Sequence, residues 1–208
     1  MTLNTNSLVT LNDAKKWLDI ALLNTDLDER AELFINSASD MIENYLNRDL
    51  VRKIRTERYD GTRANKIFLK NWPADKPTAI SFGSGWDFSE LVDVDNYTIQ
   101  DESLVVFKSQ ITGRSTQGIQ IEYTAGYVTP LSPVQTGVVL PSDIKMACLM
   151  LISWLWQVDR DRRLGVSNKS KQNESISFES GMPKVIAEML SPHKRLEFTG
   201  VHSAIDTY

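Results

Sequence analysis

The 208-residue chain has one cysteine and two histidines, and this scarcity excludes much chemistry at once. A lone thiol, Cys148, cannot close an intramolecular disulfide, and its apolar neighbours mark it as a buried structural residue made in a reducing compartment. His193 and His202 have no cysteine near them, whereas zinc takes four N or S ligands in a structural site and three in a catalytic one, so no metal is expected. There is no Gly-x-Ser-x-Gly elbow and no Gly-Lys-Ser/Thr phosphate loop. Gly83-Ser84-Gly85 lacks the third glycine and the following helix of a dinucleotide fingerprint, and it reads as a turn. With no acid, base or nucleophile constellation, neither an enzyme nor a cofactor is expected. Long apolar runs are missing too: Met146 to Trp156, broken by Ser153, is far below the ~20 residues of a membrane span. The start, MTLNTNSLVT, has neither the basic nor the apolar region of a secretory signal. Cations do not dominate either, since 23 Lys and Arg stand against 27 Asp and Glu, and a net charge of −4 argues against gripping phosphates.

What remains is an ordinary globular composition, 41% hydrophobic and 24% charged, outside the signature of disorder. Thr10 with Asp13 has the spacing of a capping box, followed by a short helical stripe of Leu11, Ala14, Trp17, Leu18 and Ala21. Asp26 with Glu29 repeats that signal. Leu27, Ala31, Phe34, Ala38, Met41 and Tyr45 then recur at steps of four and three, with Ile35 and Ile42 widening the face, which predicts a longer second helix to about Asn47.

From Leu50 the pattern becomes short runs rich in Val, Ile, Thr and aromatics: 50–59, 66–69, 78–82, 97–100, 104–107 and 118–123. Gly, Pro, Asp and Asn punctuate them, as in strands and hairpins. A loop over 124–140 ends where Pro141-Ser142-Asp143 opens a third helix to about Arg163. Its apolar residues occupy nearly the whole circumference, so it must be covered on several sides. The polar stretch 164–181 predicts a mobile loop in which Ile176-Ser177-Phe178 pairs as a short strand, and 182–190 reads as a last short helix stopped by Ser191-Pro192. The expected fold is α+β: a helical core of two N-terminal helices, a long hydrophobic third helix and a short fourth, with a β lobe inserted between helices two and three. The expected parts are 1–49 and 129–190 for the helical core, 50–128 for the β lobe and 191–208 for a C-terminal arm.

Four stretches in this order carry a resemblance. They are Leu11-Asn12-Asp13-Ala14-Lys15-Lys16-Trp17-Leu18, the end of helix two from Ile35 through Tyr45-Leu46-Asn47-Arg48, Ile119-Gln120-Ile121-Glu122-Tyr123-Thr124-Ala125-Gly126-Tyr127, and Leu140-Pro141-Ser142-Asp143-Ile144-Lys145-Met146-Ala147. Together they resemble the head-tail connector, or adaptor, proteins of tailed bacteriophages over about residues 8–190. The resemblance implies a structural virion protein of the neck, made in the host bacterial cytoplasm. It further implies a dodecameric homo-oligomeric ring beneath the portal protein, extending a channel through which DNA passes without sequence-specific binding, and a docking surface for a stopper or tail-completion protein.

Interfaces would then do the work. Trp154 and Trp156 are core or contact residues, because indoles bury large areas. Arg160, Arg162 and Arg163 stand in a mixed charge cluster, Asp159 to Arg163, that reads either as a solvated helix end or as a subunit or portal ion-pair site. In the tail, Leu196, Phe198, Val201, Ile205 and Tyr208 are the anchors of an arm that orders on the portal; the plainer reading is a frayed terminus. Asp87, Glu90, Asp93, Asp95, Asp101 and Glu102 crowd the β lobe without the spacing of a calcium loop and form a solvated acidic face, one able to keep DNA from sticking to a channel wall. The competing reading is a non-enzymatic binding module that holds a peptide or glycan on the β lobe.

Overall fold

The computed structural model describes residues 2–61, 65–84, 87–109, 116–160, 168–171, 174–177 and 182–195. The chain is α+β. Helix α1 (Leu11–Trp17) opens on Thr10, whose hydroxyl accepts from the Asp13 amide while the Asp13 carboxylate accepts from the Thr10 amide, the reciprocal bonding that its spacing predicts. It is shorter than the stripe to Ala21 implies, and the residues it buries are Ala14 and Lys15. Helix α2 (Asp28–Leu46) departs from expectation at its start: Leu27 occupies the cap position with no side-chain bond, and Asp26 instead takes part in a turn closed by Asn24. Asp28, in the first turn, is engaged by Lys15 at 2.6 Å. The helix stops at Asn47, which adopts the left-handed conformation that asparagine tolerates at a helix end.

Between α2 and α3 (Ser142–Arg160), seven strands run among the described residues, β1 (Lys53–Tyr59), β2 (Lys66–Phe68), β3 (Ala79–Ser84), β4 (Asp87–Leu91), β5 (Tyr97–Gln100), β6 (Leu104–Phe107) and β7 (Ile119–Ala125). They form two antiparallel sheets, ordered β1-β7-β3-β4 and β2-β6-β5. Both sheets contribute to one apolar cluster, with Ile80, Ile119, Ile121 and Tyr123 from the first and Ile67, Val105, Tyr97 and Phe107 from the second. The sheets therefore cover each other. Gly83 and Ser84 belong to β3 rather than to the turn the sequence suggests, and β4 carries no periodic signal because four of its five residues face water. Its charges on an edge strand discourage further strand pairing.

Beyond α3, strands β8 (Asn168–Lys171) and β9 (Glu174–Ser177) pair in a hairpin where only the second was anticipated. Helix α4 (Lys184–Leu190) follows Pro183 and gives way to a 3₁₀ turn, Ser191–His193. A second apolar cluster joins all four helices through residues such as Ala14, Ile35, Ile42, Cys148, Leu151, Ile152, Ile186 and Leu190. Helix α3 is thus flanked by α1, α2 and α4, and this accounts for its apolar girth over residues 144–152. Among the described residues, no helix is long and apolar enough to cross a membrane.

Candidate assembly surfaces

The cover over α3 thins towards its C-terminal end. Residues 153–156 and Val158 are half-buried, and Leu33 on the neighbouring helix is 43% exposed. Trp154 packs against the helical core. Trp156, two residues on, must point elsewhere, because positions i and i+2 do not share a helix face. It meets Phe34 edge to face, with ring centroids 5.7 Å apart, and carries the Arg30 guanidinium 4.9 Å over its ring. Arg30 in turn pairs with Asp159. The result is a half-exposed platform of Arg30, Phe34, Trp156 and Asp159 spanning α2 and α3. Arg160 is exposed and engaged in a contact of its own. Arg162, Arg163, Leu196, Phe198, Val201, Ile205 and Tyr208 lie outside the described residues.

A second surface was not legible in the sequence. Arg48, Arg52 and Arg55 are all buried at the junction between the helical and β clusters. Arg48 sits 4.1 Å over the Trp72 ring and 5.6 Å from the Tyr127 ring, donating to the Trp72 carbonyl at 2.8 Å and to the Tyr127 hydroxyl at 3.4 Å. Burial pulls its pKa down, partly offset by the Tyr127 bond. Arg52 reaches Asp75 and lies beneath the 126–137 loop, where a Cβ on Gly137 would stand 2.4 Å from its guanidinium carbon. Gly126, at φ +105°, lets the loop pass so close to the Leu50 and Val51 carbonyls that a Cβ would lie 2.6 to 2.7 Å from their oxygens. Arg55 bonds to Asp49 at 2.7 Å and to the Val51 carbonyl at 3.2 Å. All three Nε–H groups are buried without an acceptor. Each such orphan costs about 1–3 kcal/mol.

This junction opens into a polar groove of about 650 Å³ whose walls include Glu43, Arg48, Asp49, Arg55, Glu57 and Arg195. Burial pushes the Glu43 carboxyl up, against the bonds it accepts from Leu50 and Asn6. Arg195 arrives from the far end of the chain. His193 pairs with Asp143 in the first turn of α3 at 2.6 Å, Lys194 lies 4.7 Å over the Tyr45 ring, and the Arg195 amide donates to the Leu46 carbonyl at 2.9 Å. Residues 193–195 are therefore laid along the helical core, which brings Arg195 to the groove. The acidic residues of the β lobe named above are exposed, and no group of three or more His, Cys, Asp or Glu suited to a metal occurs among the described residues.

A helical core with a half-covered aromatic face, a two-sheet β lobe and a buried arginine junction define a protein distinguished by surfaces for contact. The sequence profile of the head completion protein family matches residues 7–196, and the chain belongs to that family of structural virion proteins. No curated protein matches the chain by sequence. Solved structures with a similar fold include a chain from the neck of an empty gene transfer agent particle computed with C6 symmetry (14% identity, 98% of this chain and 97% of that one, TM-score 0.62). Others come from the virion of the native gene transfer agent particle (12% identity, 97% and 96%, TM-score 0.60) and from the native particle's neck computed with C12 symmetry (15% identity, 98% and 97%, TM-score 0.57).

Proposed function

We propose that the chain is the head-tail adaptor: copies form a closed ring beneath the portal, extend the DNA channel and offer a docking surface to the stopper or tail-completion protein. The observation that supports this best is family membership over nearly the whole chain, together with fold likeness to chains from necks treated with six- and twelvefold symmetry. In a ring the contact is heterologous, one surface of a subunit meeting a different surface of the next. The Arg30, Phe34 and Trp156 platform, backed by Trp154 on the core-facing side of α3 and with Arg160, Arg162 and Arg163 beyond, is the subunit contact in this reading, since half-buried indoles and arginines are the residue types that dominate interfaces. The arm, with Leu196, Phe198, Val201, Ile205 and Tyr208 as anchors, reaches the portal. The helical parts, 1–49 and 129–190, carry the ring contacts, and the β lobe, 50–128, faces the channel or the next neck protein.

Negative-stain imaging of the purified protein, alone and mixed with its portal, tests the proposal. Rings, or an added layer on the portal, are expected, and Trp156→Ala should weaken ring formation. Monomers under both conditions would overturn the reading and favour a β-lobe binding module instead.

A further inference from the structure

Most exposed apolar side chains of this protein stand beside charge. Ile54 lies between Lys53 and Arg55, Val94 between Asp93 and Asp95, and Phe68 two residues from Lys66 and from Lys70. Docking such a side chain strips water from its charged neighbours, which costs free energy unless they find partners. Among the described residues, the exposed large apolar side chains with no charged residue within two positions are Leu22, Leu23, Leu131, Val138 and Val139. They form two groups. Leu22 and Leu23 lie on the loop that joins α1 to α2, at the end of the helical core where α2 starts and meets the last turns of α3. Leu131, Val138 and Val139 lie on the loop that leads into α3, in a stretch from Tyr123 to Ser142 without a charged side chain. The 19 residues of α3 set its two ends about 28 Å apart. Each loop is held by a buried cation. Lys15 donates to the Leu22 and Asn24 carbonyls, and Arg52 donates to the Gly126 carbonyl at 3.5 Å. The second loop is closed further by the pairing of Val128 with Val139 and by the Gln135 amide, which donates to the Ser132 carbonyl at 2.6 Å. Loops fixed in this way present apolar side chains with little further ordering cost on contact.

We propose that Leu22 and Leu23 of one copy seat on Leu131, Val138 and Val139 of the next, setting the register of a head-to-tail contact. The inference rests on the adaptor reading above and names the surface that receives the platform end of each subunit. The platform adjoins the first group, because Lys15 also binds Asp28, in the same turn of α2 as Arg30. A second copy is the partner because the two groups match in being apolar and free of charge, yet stand at opposite ends of one core, where neither covers the other. A copy that docks fills one group and leaves its own counterpart open for the next copy, which is how a heterologous contact propagates until a ring closes. Five side chains fall short of the ~800 Å² per partner that a stable interface buries, and the platform of Arg30, Phe34 and Trp156 enlarges the contact. An antiparallel pair would fill both groups at once and stop at two copies; the ring reading selects the head-to-tail arrangement.

The full chain carrying Leu23→Cys together with Val139→Cys, mixed with its portal and oxidised with copper phenanthroline, tests the pairing. Cys148 is fully buried and stays out of the reaction. A disulfide ladder running past the dimer is expected on a non-reducing gel, with no ladder from either substitution alone or when Ile54→Cys replaces Val139→Cys. Leu23→Ser, at a position in contact with water, should leave the urea midpoint of the monomer unchanged and weaken ring formation by ~10-fold or more, the loss that follows when a leucine's burial is forfeited. Cross-links that stop at the dimer overturn the inference, as does ring formation that Leu23→Ser leaves at the parent's level. Rings, or a layer on the portal, without the ladder overturn the pairing and leave the adaptor reading standing. A chain that neither forms rings nor coats the portal overturns both.

Discussion

Replacing Lys15 with methionine should destabilise the protein far more than the same change at Lys16 beside it. Lys15 is 2% exposed, and its ammonium donates to the Leu22 carbonyl at 2.9 Å, the Asn24 carbonyl at 2.7 Å and the Asp28 carboxylate at 2.6 Å. It pins the loop between α1 and α2 to the helical core, so that Leu23 stands 96% exposed on a held support. Methionine keeps the bulk and the apolar stem but removes all three bonds. Breaking a buried ion pair costs about 3–5 kcal/mol. Here Asp28 is 26% exposed and the two carbonyls belong to exposed residues, so water recovers part of the loss and about 2 kcal/mol remains. For a chain of this size that lowers the melting temperature by roughly 4–8 °C. Lys16 is exposed, and Lys16→Met should stay within about 0.5 kcal/mol of the parent. Urea unfolding of both variants decides the matter: equal losses, or a loss below about 0.5 kcal/mol for Lys15→Met, would show that the three bonds do not hold the loop.

Gly126→Ala should cost about 1–3 kcal/mol through its φ of +105° and the approach to the Leu50 and Val51 carbonyls, measured by urea unfolding; an unchanged midpoint would refute the tight passage. Burial pushes the Cys148 thiol up to about 12, so a thiol reagent at neutral pH should label the folded protein only at the rate of its unfolding, and rapid native labelling would contradict the burial. Burial raises the Asp143 carboxyl, but the bonds to His193 and the Ile144 amide outweigh it and hold the group below its ordinary value. The stability this contributes is fully present above the unfolded carboxylate range and is lost as pH falls through the folded value. Asp143→Asn should therefore flatten the acid side of the stability profile, by on the order of 0.5 kcal/mol for so exposed a pair. An acid limb identical to the parent's would remove the pair from the account.

The parts of the fold that are periodic and local were legible in the sequence. Thr10 and Asp13 announce α1 because both halves of the capping box lie within one turn, and Ala31, Ile35, Ala38 and Ile42 announce α2 because a helix has to bury one stripe. Where a tertiary partner decides, the signal fails. Lys15 sits on an apparently polar face of α1, and only the returning loop supplies the acceptors that let it be buried. Asp-Phe-Ser-Glu-Leu at 87–91 is too polar to read as a strand, and it pairs because β3 gives it an edge. Arg48, Arg52 and Arg55 look like solvated cations until Trp72, Tyr127, Asp75 and Asp49 are brought to them from elsewhere in the chain. Of the residues expected at interfaces, Trp154 and Trp156 were read alike as core or contact residues, and the structure separates them, Trp154 against the helical core and Trp156 against Phe34 and Arg30. The partner that makes Trp156 part of a platform, Arg30, lies a helix away and carried no mark.

The hydrogen bond from Arg195 to Leu46 ties two events that sequence distance would keep separate. A helix ends with carbonyls that have no partner of their own, and here one of them is filled from the opposite end of the chain. The last turn of α2 and residues 193–195 thus share a backbone hydrogen bond, so that losing one contact uncovers a group of the other. The Arg195 amide becomes a gauge: its exchange with solvent reports, at a single position, whether the contact between residues 193–195 and the end of α2 is intact.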